Sequence, residues 1–286
     1  MPSITSAKDI HFSSYTIRRF RQVQLLLDQL DPQADPQALI VPGSPAPEGK
    51  IIVFPGSFNP PTTAHLALLK QAWHFARLHG PMHIYAAISK HITDKESVQR
   101  PLLLDRIILL DSVLRRHLRH TGIMLFNRGL YVEQAEGVLA SFLQVTKLYF
   151  LIGFDKIVQI FDPHYYEDRD AALRELFALA EFLVAPRREA GSAELTQLLD
   201  KPENRQFANH VHALPLSAAY RDISSTRIRQ VPDTHLQEVP QEVQQFIRET
   251  HAYTPPIELP DGSRIDYYGL RMQAIEAALK LTNAEK

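Results

Sequence analysis

Residues 51–65 read IIVFPGSFNPPTTAH. An apolar strand ends at Phe54-Pro55 and gives way to Gly56, a residue free to take dihedrals that other residues avoid. Asn59-Pro60-Pro61 then stiffens the bend, and a helix begins that carries His65 in its first turn. Strand, short turn and helix in this order admit two readings. One is an ordinary turn of Gly, Asn, Pro and Ser before a capped helix with a surface histidine. The other is a loop whose backbone a phosphate can approach, with the free N–H groups and dipole of the helix end favouring the anion and an imidazole placed to donate to it.

The pattern around this stretch decides the fold class. Apolar runs at about 82–88, 122–126, 147–152, 180–185 and 209–215 follow the first strand. Helical segments at about 64–79, 101–119, 131–143, 167–178 and 192–200 fall between them. Strands alternating with helices of this length predict an α/β fold, a Rossmann-like parallel sheet with right-handed crossovers flanked by helices. Ligands then bind at the carboxyl ends of the strands, near the switch in strand order.

Upstream, residues 14–30 place Ile17, Phe20, Val23, Leu26, Leu27 and Leu30 at helical spacing. Five prolines (32, 36, 42, 45 and 47) then predict an extended connector rather than an element. Downstream, 240–253 and 268–281 read as helices, with a hairpin around Asp261-Gly262 between them. The expected organisation is a helix and connector over 1–48, a nucleotide-binding α/β domain over 49–231, and a mostly helical piece over 232–286.

The chain has 286 residues, of which 45% are hydrophobic, enough for a sizeable core. A formal net charge of −1 gives no reason to expect a nucleic-acid or anionic-membrane surface. No cysteine is present, which excludes disulfides, thiolate metal sites and a cysteine nucleophile, and fits an intracellular protein. Neither a secretory leader nor an uninterrupted apolar stretch of spanning length is visible, so the expected setting is soluble and cytoplasmic, a nuclear one being left open.

Two further stretches carry candidate chemistry. DISSTRIR (222–229) offers Ser224, Ser225 and Thr226 as N-cap types, with Arg229 about one turn past Ser225. Hydroxyls, amides and an arginine together suit a polyphosphate; a plain N-cap with a solvated arginine has the same residues. In YFLIGFDK (149–156) an apolar strand ends at Gly153, where a ligand can come close to the backbone, and Asp155 follows. A carboxylate at that place accepts from a ribose hydroxyl or caps a helix. His117 and His120 stand three apart, but no third metal ligand accompanies them.

GSFNPPTTAH resembles the GxFxPxHxGH signature of the HIGH-type nucleotidyltransferases, and ISSTRIR (223–229) matches their ISSTxIR signature. With Gly153–Asp155 the set most resembles the nicotinamide/nicotinic acid mononucleotide adenylyltransferases, and VPQEVQQFIRETHAY (239–253) is similar to that family's closing motif. The likeness covers about residues 50–253. It implies adenylyl transfer from ATP, with Mg²⁺ carried on the nucleotide, to a pyridine mononucleotide. By the same resemblance Gly56, Ser57, Phe58 and Asn59 belong to the loop beside the nucleotide, and His65 contacts its phosphates. Thr62 stands where many members have a first histidine. Ser224, Ser225, Thr226 and Arg229 would grip the triphosphate, Gly153 and Asp155 the adenosine side, and Arg187 a neighbouring position. Lys95 and Arg106 would reach the acceptor phosphate.

Two departures bear on the acceptor. Ala64 replaces the signature's glycine, and NRGLYVEQ (127–134) stands where the family has a Trp-Glu pair that stacks on the pyridine ring. Trp73 reads as core, leaving Tyr131 or Phe126 to stack. The alternatives are another phosphorylated acceptor with ATP or CTP as donor, or a nucleotide-binding homologue that has lost transfer and serves as hydrolase, sensor or partner-binding module.

Overall fold

In the computed structural model, which describes residues 6–90, 100–259 and 262–280, Gly49–Pro55 lies at the centre of a seven-stranded sheet. In chain order the first elements are α1 (Ser14–Gln29), β1 (Ala38–Ile40), β2 (Gly49–Pro55), α2 (Thr63–His79), β3 (Met82–Ser89) and α3 (Leu103–His117). Next come β4 (Thr121–Phe126), α4 (Tyr131–Ser141), β5 (Val145–Gly153), α5 (Phe154–Phe161), α6 (Arg169–Leu179), β6 (Glu181–Ala185) and α7 (Ser192–Asp200). The chain closes with β7 (Val211–Ala213), α8 (Ala218–Arg221), α9 (Ser225–Gln230), α10 (Gln241–Thr250), the strands β8 (Ile257–Glu258) and β9 (Arg264–Ile265), and α11 (Tyr267–Lys280).

The sheet runs β1-β4-β3-β2-β5-β6-β7, with β2 to β7 parallel. Strand order therefore reverses between β2 and β5, and the crevice outside their carboxyl ends is where such folds bind ligands. The apolar run of β2 does not alternate because both its faces are covered. Ile52 and Phe54 pack into a core shared with Phe20 and Val23 of α1, Leu69 of α2 and Ile107 of α3. Ile51 and Val53 face the opposite core, with Val138 of α4, Ile157 of α5 and Leu173 of α6. Each such side chain contributes roughly 1.5–3 kcal/mol on burial.

The expected alternation of strands and helices is present, with three differences. The proline-rich connector contains β1, which pairs antiparallel with β4, Ala38 opposite Phe126 and Ile40 opposite Met124. An isolated three-residue strand has no periodicity to read; its ladder partner supplies it. Residues 154–161 also form a helix, α5, that starts on the residue after β5 with no turn between them. The last expected strand is shorter, since 205–210 is a 3-10 helix leading into β7.

The C-terminal piece is tied to α3. Arg271 of α11 donates through Nε and Nη2 to both oxygens of the buried Asp105, at 2.9 and 2.7 Å. The Tyr268 hydroxyl donates to Asp105 Oδ2 at 2.8 Å and accepts from the Leu102 N–H at 2.7 Å, at the start of a helix that lacks a side-chain cap of its own. The strands expected on either side of Asp261-Gly262 pair antiparallel as β8 and β9, with Asp261 itself outside the described residues. Among the described residues no helix is long and apolar enough to cross a membrane.

Candidate active site

Thr62 caps α2 and is buried; its hydroxyl accepts from the His65 N–H at 3.3 Å. The Thr62 N–H donates to Nδ1 of His65 at 2.9 Å. A backbone N–H can only donate, so Nδ1 must accept and Nε2 carries the ring proton. Burial, and then the charge of the Arg187 guanidinium, push the imidazole down to about 4. His65 is therefore a neutral Nε2–H donor at pH 7, not an exposed surface histidine. Its ring lies 4.9 Å from Phe58 and 5.8 Å from Phe54.

The β2–α2 loop is packed from below. Phe58, at φ 43°, turns its ring edge-on to Phe54 at 5.4 Å. A Cβ on Gly56 would stand 3.1 Å from that ring, a tight contact that the ring would have to yield to. Gly56 also donates its N–H to the Ala87 carbonyl at the end of β3 at 2.9 Å, while Ser57 stays partly exposed beside it.

Residues far apart in sequence hold this loop. The Ser225 hydroxyl donates to the Pro60 carbonyl at 2.9 Å, and Arg229 donates to the Asn59 carbonyl at 2.8 Å. The second Arg229 amino group reaches the Thr226 hydroxyl at 3.3 Å. Ser224 occupies the cap position of α9 without a side-chain cap bond. Tyr253, just past α10, donates to Oδ1 of the fully buried Asn59 at 2.8 Å. Ile228 of α9 packs with Val243 of α10 and with Leu66 of α2, which sets α9 beside the first turn of α2. So the opening loop and the 223–229 segment meet, and in this structure Arg229 is engaged on the loop's backbone.

Across the switch point, Gly153 closes β5, and a Cβ placed on it would meet nothing within 4 Å. Asp155 pairs with Arg187 Nε at 2.9 Å, and both side chains remain about half exposed. Arg187 opens a tight turn closed by its own N–H on the Ala190 carbonyl at 3.0 Å. Beside it lies a cleft of about 550 Å³ at the carboxyl ends of β5, β6 and β7, lined by Phe154, Pro186, Leu214, Leu216 and Arg221 among others. Apolar walls and a nearby arginine suit a base or ribose. Sequence reading missed this cleft; the apolar run LPL (214–216) after the last strand was its one signal.

Of the residues expected on the acceptor side, both aromatic candidates pack into the core. Tyr131 turns its ring edge-on to Phe150 and Phe182, at 5.3 and 5.8 Å, and Phe126 is buried in the same core. Burial pushes the Tyr131 phenol well up. Arg106 is buried on α3, at 7% exposure. Lys95 lies outside the described residues. Trp73 packs against the core as expected and donates to Thr121 at 3.0 Å. His117 pairs with Glu242 and His120 packs on Trp73, so neither completes a metal site. Among the described residues no group of three or more His, Asp or Glu side chains could hold a metal ion.

The family model described as cytidylyltransferase-like matches residues 53–231, from β2 to the end of α9. A Schizosaccharomyces pombe protein provisionally named a nicotinamide mononucleotide adenylyltransferase is 23% identical over 222 residues, 71% of this chain and 86% of that protein. A Vibrio parahaemolyticus crystal structure, provisionally named a nicotinate-nucleotide adenylyltransferase, is 15% identical with a TM-score of 0.40 and covers 72% of this chain and 95% of that one. The matched segment holds the switch-point loop, His65 and the 223–229 segment, and the chain belongs to the cytidylyltransferase-like family of nucleotidyltransferases.

Proposed function

We propose that the protein transfers the adenylyl group of ATP to a pyridine mononucleotide, forming a dinucleotide and releasing pyrophosphate. The acceptor's phosphate oxygen attacks the α-phosphorus in line, and the bond from that phosphorus to the bridging β-oxygen breaks. The electron pair leaves with pyrophosphate, so no covalent enzyme intermediate is needed. Positioning and charge stabilisation supply most of the rate in such transfers. The observation that carries the reading is His65, held neutral with its proton on Nε2 at the helix end beside the switch point. A donor fixed in this way needs no reorganisation as charge develops on the phosphates. Arg187 adds positive charge beside it, and the cleft past β6 offers room for the adenosine. Mg²⁺ would arrive with ATP, held by the triphosphate and water.

The family name and the relatives support nucleotidyl transfer; the choice of pyridine acceptor leans on the sequence motifs. A second reading, nucleotide binding without transfer, is favoured by one observation: the aromatics closest to the missing Trp-Glu position are both engaged in the core. A matrix of ATP or CTP against several phosphorylated acceptors, read by pyrophosphate release, separates the two. Release with ATP and a pyridine mononucleotide is expected. Release only with another acceptor moves the substrate assignment, and nucleotide binding without release under any pairing favours the second reading.

A further inference from the structure

The donor residues gather on β2, β5, β6 and α9, which leaves the carboxyl ends of β3 and β4 as the other mononucleotide half of the crevice. That edge is covered by the chain itself. Lys90, next after β3, donates to the Leu27 and Leu30 carbonyls at the end of α1, both at 2.7 Å. Asn127, next after β4 and fully buried, donates to the Asp31 and Asp35 carbonyls at 2.8 Å each, and its Oδ1 accepts from the Gln37 N–H at 2.8 Å. Arg128 donates to the Ala34 carbonyl through Nε and Nη2, at 3.1 and 3.0 Å. Gly137 of α4 lets the chain come this close, since a Cβ there would stand 3.0 Å from the Gln37 nitrogen.

We propose that residues 27–37 form one wall of the acceptor subsite and set its specificity, an inference that rests on the transfer reading above. The segment lies outside the part of the chain that the family model matches. It approaches the crevice because β1 runs antiparallel to β4, which places the residues before Ala38 at the carboxyl edge. Two cations and a buried amide at that edge are committed to main-chain carbonyls of the segment. The acceptor is then recognised there by the shape of residues 27–37, and not by these cations as a charged clamp. An arm kept for docking a partner would gain nothing from a fully buried asparagine bonded to four of its peptide groups.

The test uses the full-length chain, with nicotinamide mononucleotide as the probe. Hydrogen exchange at the amides between 31 and 37 is expected to slow on adding the mononucleotide and to stay unchanged with ATP alone. Arg128→Ala, in a partly exposed position, is expected to raise the acceptor KM about tenfold while the ATP KM stays within about twofold. Asn127→Ala should give the same split more strongly; should it fail to fold, Arg128→Ala carries the kinetic test. Unchanged exchange with the acceptor, or equal shifts of both KM values, overturns the wall while leaving the transfer reading in place. Absence of transfer to, and of binding by, every mononucleotide tried overturns both.

Discussion

On the β2–β5–β6 side of the carboxyl edge, polar side chains face one another across the crevice: His65 at a helix start, Arg187 against Asp155, and α9 stitched to the β2 loop. On the β3–β4 side, Lys90, Asn127 and Arg128 turn instead to the chain's own backbone between 27 and 37. In the first half the polar residue types sit in short stretches at fixed spacing, and those stretches are joined to one another across 165 to 194 positions. In the second, single polar side chains just past β3 and β4 meet main-chain carbonyls roughly 60 to 96 positions away, with no short motif to mark them. Sharing of one sheet edge does not require that the two halves be equally constrained.

The largest expected effect tests whether the C-terminal piece supports both halves through α3. Arg271→Leu would leave Asp105 buried at 2% exposure with only Tyr268 as partner. Breaking a buried pair on one side costs about 3–5 kcal/mol, read as a shift in urea unfolding. A loss below about 1 kcal/mol would mean that α11 is not a brace. Next, His65→Ala should lower kcat by about 10²–10³, as when one transition-state donor is removed. An unchanged turnover would remove His65 from the donor half.

Much of the proposed donor half is legible in the amino-acid sequence, and the reasons are local. Gly56, the prolines and the cap-forming Thr62 shape a turn by their own dihedrals, and Ser224 to Arg229 sit within two helical turns. The role of Asn59 is not legible there, because its partners Tyr253 and Arg229 lie 194 and 170 positions away. β1 is hidden because prolines flank three residues whose strand character comes from β4. The helix α5 is signalled only by Asp155 as a possible cap; it begins directly after β5, with Gly153 at the cap position and Asp155 inside the first turn. Arg106 carries no mark of its burial, which follows from the packing of α3.

Arg229→Ala sharpens the contrast further. Loss of its charge-assisted contacts should weaken ATP by about ten- to a hundredfold while AMP, which lacks the outer phosphates, changes little. Equal weakening of both by calorimetry would make Arg229 a brace for the loop, which is the contact seen with Asn59. A pH effect of smaller size follows from His65. Its imidazole titrates at about 4 in the folded chain against 6.5 when free, so between these values only the unfolded state holds the proton. Stability is complete above pH 6.5 and falls as the pH drops toward 4, by about 1–2 kcal/mol at pH 5. His65→Asn should lack that component, and an identical pH dependence in the variant would contradict the neutral imidazole. Tyr253→Phe, the smallest change, removes the bond to Asn59 and should cost about 1 kcal/mol.

Transfer itself is tested most directly by phosphorus NMR of ATP and nicotinamide mononucleotide incubated with the protein and Mg²⁺. The account expects a dinucleotide pyrophosphate signal and free pyrophosphate to grow in equal amounts, with both slowed by about 10²–10³ in His65→Ala. ADP and inorganic phosphate growing instead, at a rate that ignores the mononucleotide, would contradict it.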